Sequence, residues 1–212
     1  LTHYSYAIYD ALKAVNIKSI EVHLSDISKR DKFRKKTVIE PACIKQISGL
    51  GKQSYLEAVK ILEPYVDFFK IASYELLWHD LFKKCGDTGR PIVFSTGMAT
   101  IAELDDAVTT ARKCGCKDLI LLKCTSNYPA TPKNSNILTI PHMRELFGCE
   151  VGLSDHTMGL GAAVAAVAHG ATVIEKHFTL SRADGGVDAS FSLEPAADAE
   201  LTSTASTNVQ PL

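Results

Sequence analysis

Alternation is the strongest constraint on how this chain can fold. Short apolar runs rich in Ile, Val, Phe and Leu occur at residues 17–24, 43–48, 66–72, 91–96, 118–124, 150–154 and 172–175, with helix-like stretches between them. Runs that are apolar on both faces belong in a parallel sheet covered by helices on each side, because a half-solvated sheet would alternate polar and apolar residues. Repeated strand and helix units therefore predict an α/β protein, either a closed barrel or an open doubly wound sheet. The helices carry physical boundary signals. Ser54-x-x-Glu57 and Thr100-x-x-Glu103 both read as capping boxes, in which side chain and backbone satisfy each other's open first-turn groups. After the second, Leu104, Ala107, Val108 and Ala111 form an apolar stripe at i, i+3, i+4, i+7, and Arg112, Lys113 and Gly115 supply a cationic last turn and a left-handed stop. Residues 160–169, nearly all Ala, Val and Gly, predict a helix buried on most sides and ended by Gly170.

Size and charge narrow the class. The 212 residues can bury one substantial core, yet fall short of the roughly 250 typical of a complete (β/α)8 barrel. With 23 basic and 24 acidic side chains, nothing draws the chain to nucleic acid or an anionic membrane. No run approaches the ~20 apolar residues of a spanning helix, and the opening LTHYSYAIYDALKAV reads as a helix under way, not as a signal peptide. The six cysteines form no paired CxxC set, so reduced thiols of a cytoplasmic protein are expected, with Cys114 and Cys116 as turn and core residues.

The polar residues favour the barrel. Lys70, Ser73, Ser95, Thr96, Thr125, Ser126, Ser154, Asp155, His156 and His177 all fall at or just past the end of a predicted strand, and they come from five strands. A closed barrel converges such residues on one rim, whereas an open sheet concentrates them at a switch point. Neither GxGxxG nor a Walker lysine pattern occurs. His156 in GLSDHT and His177 in IEKHFT end consecutive predicted strands, and two imidazoles on one rim predict a metal site, with Asp155 and Glu175 as residues that could orient them. The other five histidines show no such placement and are expected to be surface or core residues.

The ordered set KIASYE (70–75), STGM (95–98), LLKCTSNYPA (121–130), GLSDHT (152–157), IEKHFT (174–179) and GGVDASFSLEP (185–195) resembles the sialic acid synthase family over roughly residues 64–195. The last of these is as close to the pseudaminic and legionaminic acid branches as to the N-acetylneuraminate branch. The resemblance implies a TIM (β/α)8-type barrel and an enzyme that condenses phosphoenolpyruvate with an N-acetylated hexose, releasing phosphate. It implies that Lys70, Ser73, Ser95, Ser126 and Ser154 contact phosphoenolpyruvate, and that His156 and His177 hold a divalent metal, Mn2+ or Mg2+. Glu75, Tyr128 and Asp188 would serve the acceptor sugar. Small-molecule substrates and a homodimer are the implied partners.

Parts of the chain depart from that pattern. No E-x-G-x-N-H-x-G-type first-strand motif is present, so the barrel (residues 1–195) is expected to lack its first strand and to hold strands two to eight. At the second strand, where the family carries a phosphate-binding lysine, this chain has Glu21 and His23, and Lys18 lies too early to reach the rim. ISGLGKQS replaces an SSPF-like third-strand end, with Lys52 as a candidate charge, and Lys123 stands where many relatives have histidine. Residues 196–212 are expected to form a weak final helix and a disordered tail, without the family's C-terminal antifreeze-like domain. Two further readings stand beside the synthase: a metal-dependent aldolase or other phosphoenolpyruvate-condensing barrel, and a non-catalytic barrel that binds sugar or phosphate.

Overall fold

The computed structural model describes residues 2–15 and 17–207, so the tail expected at 208–212 lies outside the described residues. All seven apolar runs form strands: β1 (Ile20–His23), β2 (Lys45–Ser48), β3 (Phe69–Ile71), β4 (Ile92–Ser95), β5 (Leu119–Cys124), β6 (Glu150–Asp155) and β7 (Ile174–Lys176). They divide between two compact units, residues 1–67 and 68–212. In the first unit β1 and β2 pair parallel to each other; in the second, β3 to β7 form a five-stranded parallel sheet in sequential order.

The first unit holds α1 (Tyr6–Ala14) and α2 (Gln53–Leu62). Ser5 caps α1 by accepting from the Ile8 amide at 3.3 Å. The Ser54-x-x-Glu57 box does not form, because the turn with Gly49 and Gly51 at positive φ brings the chain into helical geometry early and α2 starts at Gln53. Ser54 is instead fully buried in the first turn and its hydroxyl accepts from the Leu50 amide, while Glu57 accepts from Gln53. The centre of this unit is polar. Glu21, only 4 % exposed, accepts from Thr2, from His23 at 2.8 Å, from Thr37 at 2.8 Å and from Gln46 at 2.9 Å. Burial pushes the Glu21 carboxyl up, but these four donors favour its charged form more strongly and leave it below the ordinary glutamate value.

The second unit is a run of βα units with helices α3 (His79–Gly86), α4 (Ile101–Lys113), α5 (Thr139–Phe147), α6 (Gly161–Ala168) and α7 (Pro195–Thr207). The Thr100 and Glu103 capping box opens α4 as the spacing predicts, and the stripe Leu104, Ala107, Val108 and Ala111 is buried. Burying Leu104 and Val108 stabilises this contact by about 1.5–3 kcal/mol each. Helix α5 buries Ile140, Met143 and Phe147 and ends on Gly148 in the left-handed region. Arg112 from the end of α4 donates to the Phe147 and Gly148 carbonyls at 2.6 and 3.1 Å, placing a cation on the negative end of α5. Helix α6 is less enclosed than its composition predicts: Ala162, Ala163 and Ala166 are buried, but Gly161 and Ala168 are exposed. Its inner face packs with Leu193 and Leu201, the latter on α7.

Curvature of the sheet can be read from one contact. Strands β3 and β7 are its two outer members, four spacings apart, which in a flat sheet would be roughly 19 Å. Yet Lys70 Nζ on β3 lies 3.3 Å from Glu175 Oε2 on β7. The sheet is curled into a half-barrel of the TIM type, with its ends meeting through side chains. Gly152 makes this curl feasible between β6 and β7, since a Cβ there would collide with the Val173 carbonyl oxygen and lie 2.8 Å from Leu122 Cδ2.

Candidate active site

Register decides which residues share the concave face. Pairings run Lys70↔Val93, Val93↔Ile120, Ser95↔Leu122, Cys124↔Ser154 and Ser154↔Glu175, so Lys70, Ser95, Cys124, Ser154 and Glu175 lie on one face by the two-residue period of the strands. His156 and His177 continue that alternation past β6 and β7. Lys123, Asp155 and Lys176 fall on the other face, against the helices.

At the mouth of the concave face, Lys70 Nζ donates to Ser95 Oγ at 2.9 Å and to the Ile71 carbonyl at 3.1 Å. Ser154 Oγ donates to Glu175 Oε1 at 2.7 Å. Ser73, in the 3-10 turn after β3, accepts from the Gly97 amide at 3.0 Å, and Ser126 lies 3.8 Å from the Cys124 sulfur. Gly97 has no room for a side chain, because a Cβ would collide with Ser126 Oγ and lie 3.0 Å from Ser73 Oγ. Two hydroxyls thus flank a backbone that only glycine fits, and the Lys70–Ser95 and Ser154–Glu175 pairs share the face. Cys124 joins this floor. Burial raises its thiol, but hydrogen bonding from His156, Ser73 and Ser126 more than offsets burial and brings it to about 7.

The two histidines face one another with ring centroids 5.2 Å apart. His156 is buried, and its Nδ1 donates to the Thr125 carbonyl at 2.9 Å, which leaves Nε2 as the lone-pair nitrogen. Burial works against its protonation, and the Cys124 thiol and Thr125 carbonyl overcome that and raise it above the ordinary histidine value. His177 is shifted the other way, lowered by burial and then by the neighbouring charge on His156. Its Nδ1 lies 3.6 Å from Asp188 Oδ2. Tyr128 closes the wall, 4.2 Å from the His156 ring and 6.0 Å from that of His177, and Phe191 packs on His177 at 5.0 Å. A cavity of about 250 Å³ lined by Ser154, His156, Glu175, Lys176 and His177 opens beside them.

In their neutral forms the two imidazoles, one fixed by a backbone carbonyl, are a chemically suitable donor pair for a divalent metal that takes its other ligands from water or substrate. Among the described residues no group of three His, Cys, Asp or Glu side chains is arranged to hold an ion alone.

Nine of the ten residues taken from the motifs are linked here by contacts or shared register: Lys70, Ser73, Ser95, Ser126, Tyr128, Ser154, His156, His177 and Asp188. Glu75 ends the turn that carries Ser73 and is half-buried, with no hydrogen bond or ion pair to the others among the described residues. The orienting roles read for Asp155 and Glu175 are corrected. Asp155 binds Lys176 Nζ at 2.7 Å and the Thr157 amide at 2.8 Å on the helix side of the sheet, and Glu175 turns to Lys70 and Ser154. Thr96 and Thr125 are likewise occupied by backbone and lysine contacts. In the first unit His23 is more than a surface residue: it is held by Glu21 and stacks with His3 at 6.0 Å. The signal was present in the sequence, since EVHLSD also ends an apolar run on a histidine.

A curled parallel sheet with its cation, hydroxyls and paired imidazoles on the rim defines an α/β half-barrel of the TIM class. The chain belongs to the NeuB family, whose model matches residues 18–210. It is 41% identical over 152 residues to the N,N'-diacetyllegionaminic acid synthase of Campylobacter jejuni, covering 70% of this chain and 46% of that protein. Its fold is similar to the spore coat polysaccharide biosynthesis protein SpsE of Bacillus subtilis, with a TM-score of 0.71 and 28% identity, covering 95% of this chain and 62% of that one. A stretch of 62 residues, 29% of the chain, is 61% identical to a 3-dehydroquinate dehydratase of Caldicellulosiruptor saccharolyticus and covers 43% of it. The chain spans about half the length, or less, of the curated relatives it matches. No helix among the described residues is long and apolar enough to cross a membrane.

Proposed function

We propose that the second unit carries the site of a nonulosonic acid synthase, which condenses phosphoenolpyruvate with an N-acetylated hexose such as N-acetylmannosamine or a 2,4-diacetamido-trideoxyhexose. The observation that supports this best is the convergence of Lys70 and four serine hydroxyls beside two facing imidazoles. An ammonium with several short O–H donors suits a trianionic substrate. His156 and His177 would hold a divalent metal, Mn2+ or Mg2+, which when bound supplies Lewis-acid polarisation of a carbonyl oxygen. Lys70, Ser95 and Ser154 then fix the phosphoenolpyruvate anion, and Ser73 and Ser126 flank it around Gly97. Tyr128 offers an aromatic wall to the sugar, and Asp188 and Glu75 accept from its hydroxyls. Holding both substrates on one rim lowers the entropic part of the barrier to carbon–carbon bond formation. A cytoplasmic enzyme acting on small molecules, as a homodimer, completes the reading.

The test is phosphate release and product analysis with phosphoenolpyruvate, Mn2+ and each candidate sugar. Turnover that is lost in His156→Ala supports the synthase. Turnover with simple aldoses alone would favour another phosphoenolpyruvate-condensing barrel, and a folded protein with no turnover would favour a binder.

For the first unit a different reading is supported. The 62-residue dehydratase match is close in length to this 67-residue unit, and every departure of strands two and three from the synthase motifs lies within it, Glu21 for lysine above all. We propose that residues 1–67 are a dehydratase-type segment joined to the synthase-type half-barrel, and that Glu21 and His23 take no part in binding phosphoenolpyruvate. Glu21→Gln should leave phosphoenolpyruvate affinity unchanged; a change of tenfold would refute this.

A further inference from the structure

The Lys70 ammonium donates two hydrogen bonds, to Ser95 Oγ at 2.9 Å and to the Ile71 carbonyl at 3.1 Å, and its charge is paired with Glu175 Oε2 at 3.3 Å. Ser154 has a single hydroxyl proton, and Glu175 Oε1 takes it at 2.7 Å. An anion that is to be held by Ser154 as well as Lys70 must therefore take the place of Glu175 on that hydroxyl and compete with it for the ammonium. The Ile71 carbonyl is fixed by the backbone. Glu175 is the exchangeable one: its contact to Lys70 is the longest of the three and exceeds the 2.7–2.9 Å of a strong charge-assisted bond. Its side chain is also 41 % exposed, so water can receive the carboxylate when it is released.

We propose that Glu175 is a positioning residue that acts as a built-in anion. Its carboxylate occupies Lys70 and Ser154 in the empty site, keeps the ammonium and hydroxyl turned to the mouth, and gives both up to the incoming phosphate or carboxylate group. Glu175 thereby competes with the ligand and sets its affinity. This rests on the reading of Lys70 and Ser154 as contacts to phosphoenolpyruvate.

Glu175→Gln keeps the shape and an acceptor for Ser154 but removes the competing charge. Partly exposed ion pairs are worth up to about 1 kcal/mol, so binding of inorganic phosphate and of phosphoenolpyruvate, followed by calorimetry, should tighten about fivefold. The gain should vanish in the Lys70→Met background, an outcome a merely structural role would not give. Unchanged or weaker binding in Glu175→Gln overturns the proposal, as does a gain that persists without Lys70, or absence of binding by both proteins. Circular dichroism verifies that each variant is folded. If the phosphate result holds but no sugar supports turnover, the synthase reading fails and the competition stands.

Discussion

The buried ion pair behind β6 and β7 offers the sharpest test of how the half-barrel is held together. Asp155 and Lys176 are 2 % and 4 % exposed in their side chains, 2.7 Å apart, and Thr157 serves both: its amide donates to Asp155 and its carbonyl accepts from Lys176 at 2.5 Å. Breaking such a pair strands a charge in a dry site and costs about 3–5 kcal/mol, whereas replacing both members by neutral groups of similar volume is close to neutral. Asp155→Asn should therefore cost about 3 kcal/mol or more, because the ammonium loses its counter-charge. Asp155→Asn with Lys176→Met should recover all but about 1 kcal/mol, since Asn still accepts from the Thr157 amide and its NH2 can serve the vacated carbonyl. Trp78, the one tryptophan of the sequence, lies in the second unit and reports its urea unfolding by fluorescence without interference from the first. Equal losses in the single and double variants would refute the reasoning, for they would mean that packing alone, and not the uncompensated charge, sets the cost.

Three other outcomes follow from the same geometry. Gly152→Ala should destabilise the second unit by about 3 kcal/mol in the same assay, the range of overpacking against atoms that cannot rotate away, because the added methyl meets a main-chain oxygen. Thr100→Ala removes an N-cap and should cost about 1 kcal/mol; a loss under a few tenths would show that the box is decorative. Glu21 sits below its ordinary value when folded, so its stabilising contribution is present above the unfolded value of about 4.3 and is lost as pH falls through the folded one. Hydrogen exchange of β1 and β2, corrected for intrinsic rate, should accelerate on acidification across that window, and Glu21→Gln should remove the dependence.

Element type was legible wherever a pattern had a single physical meaning. The seven apolar runs all form strands, of which β4, β5 and β6 are buried nearly throughout, and the Thr100 box and the Leu104 stripe each fixed a helix boundary and a buried face. The rim residues were legible because polar groups at strand ends have few other uses. Orientation was not. Asp155 and Glu175 flank the histidines in sequence, and only the pairing of Ser154 with Glu175 and of Asp155 with Lys176 shows that they lie on opposite faces and serve different lysines. Ser54 satisfied the spacing of a cap, but the turn with Gly49 and Gly51 just before it decided where the helix began. The division into two units was hidden for a related reason: a strand run carries no mark of which sheet it will join, and β2 and β3 look alike until their partners are known.

Because successive residues of β6 and β7 serve opposite faces, these strands cannot gain or lose one residue. A single insertion before Glu175 would rotate Lys176 into the cleft and send His177 toward the helices, stranding Asp155 and emptying the mouth in the same stroke. Length variation in a lineage of such proteins should collect in the loops around Gly185 and Gly186, while the two strands tolerate substitution only.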